Sequence, residues 1–257
     1  MSISELFDLT GKTAIVTGGS TGLGEQMAAA LAEAGADIVI TARGLEQLKA
    51  AADRLSNFGT KVIPTQCDVG NEQDVKALID TTLCHFGKID ILVNNAGTTW
   101  GASTEDYPLD KWEQVIRTNV TGTFLCSQAA GRVMIAQKSG KIINLASVGG
   151  LVGGNPDYMN AIAYNTSKGA VVNFTRDLAV KWARHNINVN AIAPGWFPTN
   201  MVTGLLKAYE EDMLKQIPMG RFGSDTDLKG AVIYLASAAS AYVTGHVLCV
   251  EGGTLAM

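Results

Sequence analysis

Thr13-Ala14-Ile15-Val16-Thr17-Gly18-Gly19-Ser20-Thr21-Gly22-Leu23-Gly24 is the stretch that decides the fold. Its first five residues are short, β-rich and apolar, a buried strand. They run directly into glycines at 18, 22 and 24. From Leu23 to Ala34 the pattern is helical, and Gly35 ends it. A strand that turns on glycine straight into a helix sets free N–H groups and the positive end of a helix dipole beside the strand's end, a seat for phosphate. Glycine suits the tight turn, where a Cβ strains the backbone, and any close approach of the backbone to a pyrophosphate. The spacing is GxxxGxG, not GxGxxG. A glycine turn alone can serve packing only; its place after the first strand is what points to a dinucleotide.

Outward from this turn the pattern alternates. Asp37–Thr41 is a second strand and 45–58 a helix. A third strand begins at Lys61. Val75, Leu78, Ile79, Leu83 and Phe86 recur at helical spacing. Asp90–Val93 is a fourth strand, 109–137 one long helix, and 141–145 a fifth strand. A helix over 162–184, a strand over 188–192, a helix over 228–238 and a strand over 247–250 follow. Continuous apolar strands imply burial on both faces. The expectation is α/β: one doubly wound Rossmann domain over 1–257, with a seven-stranded, mostly parallel sheet. The least regular stretches, 148–161 and 196–223, follow strands five and six and are the expected walls of a pocket.

Composition narrows the function classes. The chain has 257 residues, 47% hydrophobic and 17% charged, with 20 Lys+Arg against 24 Asp+Glu and a net charge of −4. That excludes a disordered chain and gives no basic stripe for nucleic acid. No apolar run approaches the ~18 residues that span a bilayer. The start lacks a basic-then-apolar signal, so the chain reads as soluble and cytoplasmic. Cys67, Cys84, Cys126 and Cys249 are scattered and read as free buried thiols. His85, His185 and His246 stand apart, so no metal site is expected.

At the end of the second strand stand Thr41, Ala42 and Arg43. No acid there blocks a 2′-phosphate. Arg43 is either the partner of that phosphate or a solvated surface charge, and NADP(H) is favoured with NAD(H) still open. Tyr164 and Lys168 are four residues apart and share a helix face. A phenol with pKa near ~10 becomes a workable acid/base once nearby positive charge favours its phenolate. Ser147 ends the fifth strand, and Asn119 is a polar residue mid-helix.

These residues together resemble the short-chain dehydrogenase/reductase family over essentially the whole chain. The matching motifs are Thr17-Gly18-x-x-x-Gly22-x-Gly24, Asp68, Asn94-Asn95-Ala96-Gly97, Asn119, Ser147, Tyr164-x-x-x-Lys168 and Pro194-Gly195. The resemblance implies that Tyr164 is the general acid/base and that Ser147 holds the substrate oxygen. Lys168 would bind the nicotinamide ribose and depress the Tyr164 pKa, and Asn119 would anchor a water in a relay to Lys168. The cofactor site it implies comprises Gly18, Ser20, Thr21, Gly22, Leu23, Gly24, Arg43, Asp68, Val69, Asn95, Ala96, Gly97, Tyr164, Lys168, Pro194, Gly195, Phe197 and Thr199. Asp68 would meet the adenine, Asn94 would position cofactor and central sheet, and Ile192, Pro194 and Thr199 would line the nicotinamide site. The alternatives remain that Asp68 and Asn94 merely cap turns and that Trp100, Trp196 and Phe197 are core or lid aromatics.

The subgroup resemblance is to bacterial sugar-acid and polyol dehydrogenases of the gluconate 5-dehydrogenase and 2-deoxygluconate dehydrogenase type, carried by 185–196, Thr199-Asn200-Met201 and 251–256. It implies a sugar acid such as gluconate. A 3-oxoacyl or bulkier hydrophobic ketone fits the Trp-, Phe- and Met-rich 196–219 stretch as well. Sixteen residues separate Ser147 from Tyr164, more than the family usually shows, so the pocket mouth should differ. A non-catalytic dinucleotide sensor is the other class carried. The resemblance also implies a homotetramer, with Ala129, Ala130, Val171, Phe174 and Leu178 as candidate interface residues.

Overall fold

The structure is a computed structural model describing residues 1–257. Seven strands form one sheet in the order β3-β2-β1-β4-β5-β6-β7. They are β1 (Thr13–Thr17), β2 (Asp37–Ala42), β3 (Val62–Gln66), β4 (Ile91–Asn94), β5 (Gly140–Leu145), β6 (Ile187–Pro194) and β7 (Val247–Val250). All six pairings are parallel, so the sheet is wholly and not mostly parallel. The helices are α1 (Ile3–Phe7), α2 (Gly22–Glu33), α3 (Leu45–Ser56), α4 (Glu72–Phe86), α5 (Leu109–Ile116), α6 (Gly122–Gln137), α7 (Ile162–Trp182), α8 (Thr203–Ala208), α9 (Glu210–Lys215) and α10 (Lys229–Ala236).

The period-2 strand rule shows in the core. Ala14, Val16, Ile38, Ile40, Ile91, Val93 and Ile143 point to one face, where they pack with Met27, Leu31, Leu48, Leu55 and Val232 of α2, α3 and α10. Ile15, Val39, Leu92, Ile142 and Val189 point to the other, against Leu78, Cys126, Ala130 and Leu178 of α4, α6 and α7. Both faces are therefore sealed, as continuous apolar strands require.

Four expectations are corrected. The long helix over 109–137 is interrupted: α5 passes into a π-helical turn, Arg117–Thr121, before α6. The irregular stretch 196–223 contains α8 and α9, too short to show a clear period. Cys67 and Cys126 are buried, but Cys84 and Cys249 are exposed. Of the candidate interface residues, Ala130, Val171 and Leu178 are buried inside the subunit, whereas Ala129 and Phe174 are half-buried against the core and keep exposed surface. Exposed apolar side chains on α6 and α7 include Phe124, Ile162 and Val180. No helix is long and apolar enough to cross a membrane.

Candidate active site

The sheet order reverses between β1 and β4: the chain winds outward through β2 and β3, then returns to pair β4 on the other side of β1. The loops leaving adjacent strands there diverge, and a crevice opens at the carboxyl ends. A cavity of about 710 Å³ occupies it. Its volume falls in the range of small-molecule sites, roughly 300–1,000 Å³.

One half of the cavity is the glycine turn. Asn95 laces the two strand ends together, its Nδ2 donating to the carbonyls of Thr17 (2.8 Å) and Gly18 (3.1 Å). A Cβ on Gly24 would lie 2.1 Å from the Gly18 oxygen, so only glycine lets α2 start this close to β1. Gly22 has φ +56, a left-handed conformation that glycine adopts without strain. Thr21 precedes α2 in an extended conformation, and its side chain makes no capping bond. The first N–H groups of α2 therefore have no partner within the helix, and Gly18, Ser20, Thr21, Gly22, Leu23 and Gly24 all face the cavity. This is a Cβ-free cradle of donors and positive dipole, which fits a pyrophosphate.

The other half carries Ser147, Tyr164 and Lys168. Ser147 follows β5; its Oγ accepts from the Gly149 N–H at 3.2 Å and thereby caps a short 3₁₀ turn. Tyr164 lies in the first turn of α7, whose N-terminus has no side-chain cap, so the dipole there favours negative charge on the phenol. Burial pushes the Tyr164 phenol above its ordinary value, and the Ser147 hydroxyl draws it the other way. Lys168, one turn on, is buried; its Nζ donates to the Leu145 carbonyl at 2.6 Å and lies 5.5 Å from the centre of the Tyr164 ring. Burial lowers its pKa to about 8.

Most expected site residues meet here: the glycine turn, Asn95, Ala96, Gly97, Ser147, Tyr164, Lys168, Pro194, Gly195, Phe197 and Thr199 line one cavity. Several do not. Arg43 is exposed beyond β2 and outside the lining, without an ion pair. Asp68 is also outside: Arg117 Nη2 donates to one of its oxygens at 2.7 Å and the Gly70 N–H to the other at 3.0 Å. Val69 packs on Gly122, where a Cβ would come within 2.6 Å. Ile192 is core. Asn94 is buried, donating to Ser127 Oγ at 2.9 Å and Asn144 Oδ1 at 2.8 Å, so it ties strands and helix together. Trp100 lies off the wall under the Lys111 ammonium, whereas Trp196 and Phe197 are on it.

Asn119 sits in the π turn, behind the cavity. Its Oδ1 accepts from the Thr98 N–H (2.8 Å), and its Nδ2 donates to Thr98 O (3.0 Å) and Ser167 Oγ (2.9 Å). Both N–H groups and the oxygen of its side-chain amide are bonded to the protein. Tyr158, Met159 and Asn160 also line the cavity. No single residue in the sequence marked them; only the length of the segment between Ser147 and Tyr164 did.

Sheet order and cavity together put the chain in the class of Rossmann-like dehydrogenases. Comparison with known proteins narrows the class: the chain belongs to the short-chain dehydrogenase/reductase family and is an oxidoreductase of it. The family model that matches residues 18–254 is described as enoyl-(acyl carrier protein) reductase. A 2-dehydro-3-deoxy-D-gluconate 5-dehydrogenase of Escherichia coli is 41% identical over 258 residues, covering 99% of each chain. A 3-oxoacyl-[acyl-carrier-protein] reductase of Staphylococcus aureus is 40% identical over 243 residues, covering 94% of this chain and 97% of the relative. The crystal structure of a gluconate 5-dehydrogenase from Burkholderia cenocepacia J2315, in complex with NADP and tartrate, is 38% identical, with a TM-score of 0.94 over the full length of both chains.

Proposed function

We propose that the protein interconverts a secondary alcohol and a ketone with NADP(H), with Tyr164 as general acid/base. The observation that carries this reading is the convergence of Ser147, Tyr164 and Lys168 on the cavity that the open start of α2 also faces. The cofactor would be held by the glycine turn, Asn95–Gly97, Pro194, Gly195, Phe197 and Thr199. When bound, the nicotinamide supplies or receives the hydride.

The chain's own groups manage the oxygen and its proton. The Ser147 Oγ accepts from Gly149, which leaves its O–H free to donate to a substrate oxygen. In reduction the Tyr164 O–H gives its proton to that oxygen as the carbonyl carbon becomes a carbinol carbon; in oxidation the phenolate takes it back. The Lys168 ammonium and the start of α7 both favour the phenolate. One Lys168 proton is bound to Leu145, leaving the others for a ribose hydroxyl. Arg43, without an ion-pair partner, is the candidate for the 2′-phosphate. Asn119 is a positioning residue for this site.

Two substrate readings come with the relatives: a sugar acid, as in the names of the E. coli and Burkholderia proteins, and a 3-oxoacyl group, as in the S. aureus one. Resemblance to the family also supports a four-copy assembly, with the exposed Phe124 and Val180 available to it; light scattering giving a stable monomer would remove that reading.

The test measures NADP⁺ and NAD⁺ reduction with gluconate, and NADPH oxidation with a ketone panel, for the wild type and Tyr164→Phe. Turnover should fall by ~10²–10⁴ in the variant while NADPH fluorescence still reports binding. A fully active variant overturns the mechanism. Wild-type inertness toward every carbonyl, with cofactor bound, favours a non-catalytic sensor.

A further inference from the structure

The wall of the cavity away from the glycine turn is made by the segments after β5 and β6, and one side chain joins them. Tyr158, in the segment between Ser147 and Tyr164, donates its hydroxyl to Gln216 Oε1 at 2.7 Å, just past α9. Its ring stands edge-on to Trp196 with centroids 6.3 Å apart, and 5.6 Å from the ring of Tyr209, between α8 and α9. Tyr158 and Trp196 both face the cavity. The long segment therefore reaches across the mouth and is fastened to the opposite side.

The chemistry of this wall is one-sided. The lining contains no aspartate, glutamate, arginine or histidine, and its one lysine, Lys168, is held at the Leu145 carbonyl beside the reacting groups. Away from the glycine cradle, what else favours negative charge is the uncapped start of α7, where Tyr164 itself stands, and the neutral amides of Asn160 and Asn200 at the exposed rim. A carboxylate carried close to the ketone would lose water against Trp196, Met201 and Leu205 without gaining a cation, and an unpaired ion is costly to desolvate. Alkyl or ester carbons gain there.

We propose that this part of the cavity is a subsite for an uncharged, partly apolar substrate arm, bounded by the rings of Tyr158 and Trp196, and that Tyr158, fixed by Gln216, is a specificity-determining residue. The inference rests on the alcohol/ketone reading and deepens it by naming what the site selects. The protein does not read a carboxylate: a sugar acid enters with its charged end toward the open mouth, in water.

The experiment compares NADPH oxidation with ethyl acetoacetate and with acetoacetate, which share the ketone and differ in the charge two carbons away. The ester should have kcat/KM higher by ~10-fold or more, because only the free acid must strip an unpaired ion. Each methylene added to the ester alcohol should raise kcat/KM by up to ~4-fold while the wall still has room. Tyr158→Ala should raise KM for the ester by ~10-fold, about the loss of a buried aromatic contact, and leave kcat within ~2-fold. Tyr158→Phe, which keeps the ring and loses the bond to Gln216, should fall between. Acetoacetate turning over as well as the ester, or KM unmoved in Tyr158→Ala, overturns the subsite while the reaction stands. No turnover with any carbonyl overturns the reaction and the subsite with it.

Discussion

Lys168 Nζ donates to the Leu145 carbonyl at the end of β5 while standing 5.5 Å from the centre of the Tyr164 ring, so the ammonium is anchored to the sheet and not to the phenol oxygen. Burial acts on the two groups in opposite senses: it pushes the phenol up and the ammonium down to about 8. In the free protein at neutral pH both protons are therefore in place, the state that reduction of a ketone needs. Oxidation needs the phenolate, and its rate should rise with pH where the reduction rate falls.

The same burial makes Lys168 a cost to the fold. Its folded value, about 8, lies below the ordinary 10.5, so between those values the unfolded chain holds the proton and the folded chain does not. Stability contributed by this group is therefore lowest below pH 8 and recovers as pH rises toward 10.5. Such a shift corresponds to about 3 kcal/mol, part of it offset by the lost bond to Leu145 when the side chain is replaced. Lys168→Met should be inactive yet more stable than wild type at pH 7, by about 1–3 kcal/mol, with the advantage gone near pH 10.5. Urea melts at the two pH values measure it; a variant less stable at both would mean that the ammonium is satisfied in the fold.

Arg43 decides between cofactors. It is exposed, lies just past β2 and makes no ion pair, so its removal leaves nothing unsatisfied in the protein. Charged hydrogen bonds contribute about 1.5–3 kcal/mol, and exposure puts this one at the lower end. Arg43→Ala should weaken NADPH binding by ~10-fold and leave NADH binding unchanged, since only the former carries a 2′-phosphate. Fluorescence titration of both cofactors reads the split. Equal affinities for NADPH in variant and wild type would make Arg43 a solvated surface charge.

The elements that position the site were legible because each rests on a local signal. β1, the glycine turn and the start of α2 follow one another in twelve residues, and Tyr164 and Lys168 share a face by helical spacing alone. What was hidden depends on long-range pairing. That Asp68 is bonded by Arg117 and Gly70, and that the Asn94 Nδ2 is bonded to Ser127 and Asn144, is decided by residues up to 50 positions away. Of the candidate interface side chains, Ala130, Val171 and Leu178 are covered within the subunit, because a mid-sequence apolar residue carries no mark of which neighbour covers it. Tyr158 lies in a segment without periodicity, and only its partner Gln216, 58 residues on, gives it a place.

Gly24 tests how far the turn is steric. The Cβ of an alanine there would come 2.1 Å from the Gly18 oxygen and 2.3 Å from Asn95 Nδ2, both fixed by the strand ends. Neither neighbour can move without unlacing β1 from β4. Gly24→Ala should destabilise the protein by about 1–3 kcal/mol, the usual cost of forced overpacking, and abolish cofactor binding. Gly230→Ala, on α10 with open space around its Cβ, is the matched control and should be neutral or stabilising. Similar melts for the two variants would place the need for glycine elsewhere in the turn.

Asn119 separates a structural tie from a solvent relay. Its amide bridges the backbone of Thr98 and the Ser167 hydroxyl, and that hydroxyl donates in turn to the Tyr164 carbonyl at 2.7 Å. The π turn thus reaches the backbone of the proposed acid/base through two side chains. Asn119→Ala leaves a buried N–H, a carbonyl and a hydroxyl acceptor site unmet, which should cost about 2–4 kcal/mol at 1–3 kcal/mol for each group not rescued by water. Tyr164 loses a support, so kcat should fall while the Kd for NADPH stays near that of the wild type. Asn119→Asp keeps the acceptor for the Thr98 N–H but turns a carboxylate oxygen toward the Thr98 carbonyl, and should be no better. A pure relay role would lower kcat in Asn119→Ala at unchanged stability. The hydrogen bonds require the two losses to appear together, and a urea melt set beside the turnover number shows whether they do.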